Sequence, residues 1–253
     1  MTIAMRPLFA CWKEITARLT QSRAIALFLD FDGTLVPIRP HPDMVRVHPS
    51  ARRALAAIAH SPRFQVWIIS ARRRADVLAR LHVPRVRYLG LYGWERNASP
   101  PEPCSAVRHV KTFLKGALPA HPSIWIEDKQ HTIAVHHRGA PGPVRDVAAE
   151  YVQRAVSPWR SRLRVAPGKC VWDIIPTDLG NKGRAVRREL ARLPSSALPI
   201  YVGDDVSDEA AFAALPHGLP IRVGVNRRSR ARYRLDGAAE VRQFLERLES
   251  EFL

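Results

Sequence analysis

Four short stretches of this chain carry residues whose types and spacing could do chemistry. In Asp30-Phe-Asp32-Gly33-Thr-Leu35 two carboxylates stand two residues apart, and the glycine lets the chain turn away at once. On an extended backbone both acids would project to one side, where their repulsion is tolerable beside a hard divalent cation. With no His/Cys cluster nearby, Mg²⁺ is the ion such oxygen donors suit. A site of this kind can make one aspartate a nucleophile toward phosphorus, with the other acting first as acid and then as base. The remaining stretches hold Ser70, Lys182 in Gly180-Asn-Lys-Gly183, and the acids of Gly203-Asp204-Asp205-Val-Ser-Asp208-Glu209.

The elements that must position these residues can be read from the apolar runs. Ala24–Leu29, Phe64–Ile69 and Leu198–Val202 are continuous apolar stretches, the pattern of strands buried on both faces of a parallel sheet. They end at Asp30, Ser70 and Gly203-Asp204. In an open α/β sheet the carboxyl ends of the strands form the ligand crevice, so these polar residues should converge. Helical patterns over Ser50–His60, Ala75–Leu81, from Asn181 onward and over Glu240–Leu253 alternate with the strands, and Val86–Leu91 reads as one more strand. The fold class is therefore α/β with a Rossmann-like parallel-sheet core.

Between about Pro100 and Pro176 the pattern changes. Pro100–Pro103 reads as a linker, Ser123–Ile126 and Thr132–His137 as a hairpin pair, and Val144–Ala155 as a helix. Leu163–Val165 and Cys170–Ile175 read as two further strands joined at Pro167-Gly168, a strong turn signal. The expected organisation is a core (1–103), an inserted α+β cap domain (104–176), and the rest of the core (177–253).

Asp-x-Asp-Gly-Thr-Leu resembles the first motif of the haloacid-dehalogenase-like phosphatases, and the other motifs of that superfamily follow in order. The resemblance implies that Asp30 is the nucleophile, Asp32 the acid and base, and Ser70 and Lys182 the holders of the phosphoryl group. It also implies an Mg²⁺ site of Asp30, Asp32 and Asp204, with Asp205 and Asp208 supporting it. An α+β insert between the second and third motifs is similar to the type-two cap. Five segments narrow the resemblance to trehalose-6-phosphate phosphatases: Asp30–Pro37, Gly90-Leu-Tyr-Gly-Trp-Glu95, Ala134-Val-His-His-Arg138, Pro167-Gly-Lys169 and Gly203–Glu209. The match nominates Arg72, Glu95, His136, Arg138, Lys169 and Asp173 as substrate contacts. Lys169 and Asp173, spaced by four, would share one face of a strand. The chain departs from the family at Asp173, where glutamate is usual, at Ala71 in place of the glycine of Ser-Gly-Arg, and at Tyr92 in place of histidine.

Several of these residues also have plainer readings. Arg72 is either a phosphate clamp or a surface member of Arg72-Arg-Arg74. Asp205 is either a metal ligand or a cap for the next helix. His136 can be a ligand or a packed ring, and Trp94 and Trp172 sugar platforms or core aromatics.

The 253-residue chain carries 40 Lys+Arg against 23 Asp+Glu, a formal charge of +17, and only six of the forty are lysines. That excess predicts an anionic partner. Its densest stretch, Arg227–Arg234, reads as a solvated loop adding to a positive field, with nucleic-acid binding through the interleaved Tyr233 as the rival. The apolar runs fall far short of the ~20 residues a membrane helix needs. The N-terminal segment, Met1–Ser22, reads as an entry helix rather than a signal peptide. Three widely spaced cysteines fit a cytoplasmic protein with reduced thiols. The expected activity is Mg²⁺-dependent hydrolysis of a phosphorylated disaccharide, trehalose 6-phosphate. The alternatives are a sucrose-phosphate or glycosyl-phosphoglycerate phosphatase and an inactive nucleic-acid-binding scaffold, and the oligomeric state is left open.

Overall fold

Apolar runs without alternation become strands covered on both faces. A computed structural model describes residues 5–96, 104–225 and 228–253. In chain order the elements are β1 (Arg6–Pro7), α1 (Trp12–Gln21), β2 (Ile25–Leu29), α2 (Pro49–His60), β3 (Phe64–Ile69), α3 (Arg74–Arg80) and β4 (Arg87–Leu89). Then come α4 (Ser105–Ala117), β5 (Trp125–Asp128), β6 (Ile133–His136), α5 (Gly142–Val156), β7 (Leu163–Gly168) and β8 (Val171–Pro176). The chain closes with α6 (Lys182–Leu190), β9 (Leu198–Gly203), α7 (Glu209–Phe212), β10 (Leu219–Val223), β11 (Tyr233–Leu235) and α8 (Ala238–Phe252). It divides into two compact units, Met1–Arg96 with Asn181–Leu253, and Asn97–Gly180. The expected insert, 104–176, falls inside the second; the linker at Pro100–Pro103 lies outside the described residues.

Among the described residues of the first unit, seven strands form one parallel sheet in the order β1-β11-β10-β9-β2-β3-β4. The order reverses at β2, so β9 and β3 flank it and three carboxyl ends lie side by side at the switch point. Ile25, Leu27 and Leu29 face a core completed by α1, α2 and α8. Ala26 and Phe28 face the opposite core, with Trp67, Tyr201 and residues of α6 and α7. Two such cores explain why β2 reads as an unbroken apolar run. Phe28 and Trp67 stack with ring centroids 4.6 Å apart across the β2–β3 pair, a contact worth about 0.5–1.5 kcal/mol beyond its area.

The second unit is an antiparallel sheet, β5-β6-β8-β7. Ile133, Val135 and Ile174 on one face pack with Val107, Val110 and Leu114 of α4 and Ala148 and Val152 of α5. The opposite face carries Trp125, Glu127, His136 and Asp173, by the alternation of a strand.

Four expectations are corrected. Pro167-Gly168 is not the turn: both residues pair with β8, and the turn is Lys169-Cys170, with Cys170 at φ 64°. Because β7 is an edge strand, Pro167 can sit in it without forfeiting a ladder bond. Lys169 therefore stands in a turn, and its shared strand face with Asp173 does not exist. The N-terminal segment is not helical throughout, because Arg6–Pro7 pairs with β11 before α1 begins. The basic stretch is not wholly a loop, since Tyr233 opens β11; its first residue, Arg227, lies outside the described residues. Apart from these four, α4 forms where no helix was expected.

Candidate active site

Asp30 follows the last residue of β2 directly, and its backbone N–H still donates to Val202 of β9 at 2.9 Å. It is 4% exposed. Lys182, at the N-terminus of α6, reaches its carboxylate at 2.8 Å and that of Asp208 at 2.7 Å. Asn181 caps this helix, accepting from the Arg184 N–H at 3.0 Å. Carboxylate oxygens of Asp30, Asp204 and Asp208 all lie within 4.8 Å of one another.

Gly33 shows how closely the chain approaches here. At φ +81° it occupies the left-handed region, and a Cβ on it would fall 2.1 Å from Asp204 Oδ2. Asp208 is wholly buried and accepts three hydrogen bonds, from Lys182 Nζ and Tyr201 Oη at 2.7 Å each and from the Asp205 N–H at 2.8 Å. With all three acids ionised, three carboxylates against one ammonium would carry an excess of two negative charges in a buried place, the charge a divalent cation would balance. An all-oxygen donor set suits a hard ion such as Mg²⁺. Burial pushes the Asp30 carboxyl well above its ordinary range, against the pull of Lys182, and Asp208 and Asp204 add to the rise. Burial pulls the Lys182 ammonium down, but Asp208 and Asp30 outweigh it and hold the proton more tightly than usual. Burial likewise raises the Tyr201 phenol, with Asp208 adding to the rise, so it stays a donor.

The carboxylate of Asp32 is not in this cluster. The strand has ended at Leu29, so period-two alternation no longer governs its direction. Arg72 holds it bidentately, Nε at 2.6 Å and Nη2 at 2.8 Å. The same guanidinium donates to Asp76 at 2.7 Å and to the Pro42 carbonyl at 2.9 Å. At 7% exposed, Arg72 is no surface residue. Ser70, 1% exposed, accepts from the Arg72 N–H at 3.1 Å, leaving its own proton to donate. Ala71 is not among the residues with positive φ, so its Cβ brings no backbone strain.

A model of the family described as Trehalose-phosphatase matches residues 28–239. The chain belongs to the trehalose-phosphatase family. The trehalose-phosphate phosphatase of Mycobacterium tuberculosis is 34% identical over 245 residues, which cover 90% of this chain and 62% of that protein. The chain thus spans less than two thirds of the length of that curated relative. The C-terminal domain of the Candida albicans trehalose-6-phosphate phosphatase shares the fold with a TM-score of 0.83 at 21% identity, covering 98% of this chain and 99% of that one. A trehalose-6-phosphate phosphatase of Aspergillus fumigatus does so with 0.67 at 23% identity, covering 97% and 99%.

Against the trehalose-phosphatase pattern, the other nominated residues divide. Glu95 is buried, and it accepts from the Arg74 N–H at 2.6 Å and from Arg73 at 3.2 Å, so it caps α3. The segment before it braces the Ser70 loop, with the Leu91 and Tyr92 N–H groups donating to the Arg72 and Ser70 carbonyls at 2.8 Å each. Asp205 forms a reciprocal capping box with Asp208, and its carboxylate is not among the clustered acids. In the second unit His136 stacks on Trp125 at 3.8 Å and meets Glu127 at 2.9 Å. Asp173, 3% exposed, meets Lys129 at 2.9 Å. Arg138 donates to the carbonyl of Lys169, which is exposed. Trp172 stacks on His137 at 4.1 Å and packs on the core of its unit.

Sequence reading missed Glu127 and Lys129, although Trp125-Ile-Glu127-Asp-Lys129 alternates as one face of a strand would. It also missed Tyr201, Glu209 and Arg222. Tyr233, the aromatic of the nucleic-acid rival, is 3% exposed and donates to Glu14 at 2.6 Å, which leaves no ring face for a base. Among the described residues no helix is long and apolar enough to cross a membrane.

Proposed function

We propose that this chain hydrolyses trehalose 6-phosphate to trehalose and inorganic phosphate with bound Mg²⁺. The observation that carries the reading is the buried Asp30, Lys182, Asp204 and Asp208 cluster at the sheet's switch point in a chain of the trehalose-phosphatase family. A carboxylate oxygen of Asp30 attacks phosphorus, the bond from phosphorus to the sugar oxygen breaks, and Asp32 gives that oxygen its proton. Water then attacks the phosphorus of the aspartyl phosphate, Asp32 takes the water's proton, and Asp30 leaves as a carboxylate. Lys182 and the Ser70 hydroxyl hold phosphoryl oxygens throughout. Mg²⁺, when bound by Asp30 and Asp204 with Asp208 beside them, supplies the positive charge that offsets repulsion between nucleophile and phosphate.

Two features bear on the acid. Arg72 occupies both oxygens of Asp32, so Asp32 must turn from Arg72 to offer one of them to the sugar oxygen. Arg72 is already engaged with Asp32, Asp76 and Pro42, and on this reading it acts through Asp32 rather than on phosphate. Sugar recognition falls to His136, Arg138, Lys169 and Asp173, with Glu127 and Lys129 joined to them. Cys11, Cys104 and Cys170 are free thiols, which supports a cytoplasmic setting.

The test is phosphate release from trehalose 6-phosphate, sucrose 6-phosphate and glucosyl phosphoglycerate, each with Mg²⁺ and with a chelator. Trehalose 6-phosphate should lead, and chelation should abolish its turnover. A flat substrate profile would sink the sugar assignment, and turnover indifferent to chelation would sink the role of the cation.

A further inference from the structure

Arg222 lies in β10, a run of five buried residues, and is itself only 6% exposed. A guanidinium in such a place is held by the partners of its two terminal nitrogens, since its Nε is buried without a partner among the described residues. Its partners lie in the loop that carries Asp204 and at the start of α7, which follows that loop. Nη2 donates to the Asp204 carbonyl at 2.6 Å, and Nη1 to the Asp205 carbonyl at 3.4 Å and to Glu209 at 3.0 Å. Glu209 also accepts from Ser229 Oγ at 2.7 Å and from the Arg230 N–H at 2.8 Å. One planar fork thus grips two successive carbonyls and fixes the peptide between them, which a single ammonium cannot reproduce. The side chain on that peptide has no slack, because Gly33 already approaches Asp204 so closely that even a Cβ would not fit.

We propose that Arg222 is a positioning residue for the divalent-cation site: by holding the carbonyls of Asp204 and Asp205 it orients the Asp204 carboxylate and thereby sets the affinity for Mg²⁺. This rests on the reading of the acidic cluster as an Mg²⁺ site. Arg222 touches neither cation nor substrate. Glu209 is its counter-charge, and through Ser229 and Arg230 it ties part of the arginine-rich stretch to the same loop.

Isothermal titration of the full chain with Mg²⁺ tests this on the unchanged protein, R222K, R222M and the control R187M, which removes an exposed arginine of α6. R222K and R222M should bind Mg²⁺ roughly 10- to 100-fold more weakly, and R187M should match the unchanged protein. At saturating Mg²⁺ the kcat of R222K should recover, with KM for trehalose 6-phosphate unaltered throughout, a recovery that a merely structural defect would not give. Unchanged Mg²⁺ affinity in R222K, or a kcat deficit that excess Mg²⁺ does not repair, overturns the inference while leaving the cation site intact. No Mg²⁺ binding by the unchanged protein overturns the cation reading itself, and this inference with it. Should R222M fail to fold, R222K and E209Q decide, the latter being expected to weaken Mg²⁺ binding by loosening Arg222.

Discussion

Replacing Asp208 by asparagine keeps the volume of a wholly buried side chain and removes its charge, so no cavity contributes to the outcome. Three donors converge on that carboxylate, the Lys182 ammonium, the Tyr201 hydroxyl and the Asp205 N–H. An amide has one acceptor atom and one donor atom. Whichever way it lies, its NH₂ meets a donor, and at least one buried group loses its acceptor, at about 1–3 kcal/mol. Lys182 also loses one of its two carboxylate partners, though Asp30 remains at 2.8 Å. Breaking a buried ion pair from one side typically costs about 3–5 kcal/mol, and the whole effect of D208N is expected in that range. The assay is urea unfolding in the absence of Mg²⁺, so that metal binding does not add to the native state. With a urea slope of about 1–3 kcal/mol per molar, the midpoint should fall by about 1 M or more. A loss below about 1 kcal/mol at an unchanged slope would refute the reasoning, because the three donors would then be satisfied without this carboxylate.

Y201F should cost far less, about 1 kcal/mol by the same assay, since Asp208 keeps two donors and nothing buried is left without a partner; a loss near that of D208N would mean that the phenol does something else. G33A should abolish Mg²⁺ binding measured by calorimetry, because its Cβ needs the space of the Asp204 carboxylate and φ is left-handed; normal binding would show that the loop has slack. D30N should eliminate phosphate release while leaving the circular dichroism spectrum unchanged, and near-normal release would remove Asp30 from the nucleophile's role. R72K should lower kcat more than it raises KM, since one ammonium cannot hold Asp32 bidentately; a rise in KM alone would instead make Arg72 a substrate clamp.

How far the site could be read from sequence follows from what each residue depends on. Asp30, Lys182 and Asp204 were legible because each sits at the end of an element whose apolar pattern is unmistakable, and sheet topology brings such ends together. Asp32 was legible as a residue but not as a geometry. An extended backbone would aim it to the same side as Asp30, whereas β2 stops at Leu29 and the chain is already turning. The direction of its carboxylate is fixed by Arg72, 40 residues away. Glu95 shows the same limit, since only the fold reveals that it caps α3. Among the elements, β10 was hidden by Pro220 and Arg222 in an otherwise apolar run, and β11 by the arginines around it. By contrast α4 was within reach, because Val107, Val110 and Leu114 repeat at helical spacing after a proline-rich stretch that reads as linker.

The arginine excess, the least informative feature of the composition, has a structural meaning that also favours arginine over lysine. Three helices of the parallel-sheet unit end on an arginine supplied from elsewhere in the chain. Arg63 donates to the carbonyls of Leu19 and Ser22 at the end of α1, Arg85 to His60 at the end of α2 at 3.1 Å, and Arg52 to Arg80 at the end of α3 at 2.9 Å. Carbonyls at a helix end run short of intrahelical donors, although that of Leu19 also accepts from the Ser22 N–H at 3.1 Å, and a cation there is favoured by the helix dipole. Elsewhere the fork ties a helix or strand to a loop, as Arg188 of α6 does at Gly93, Arg18 of α1 at Gly218 and Arg222 of β10 at Asp204, or one loop to another, as Arg232 does at Gly218. A guanidinium can bind two carbonyls at fixed geometry where an ammonium is a point charge. Part of the +17 thus has a structural use as well, in arginines that hold backbone oxygens of the fold. Lys182 stands apart from that use. It is a compact ammonium set between two buried carboxylates, at the one place described here where the chain gathers acids instead of arginines.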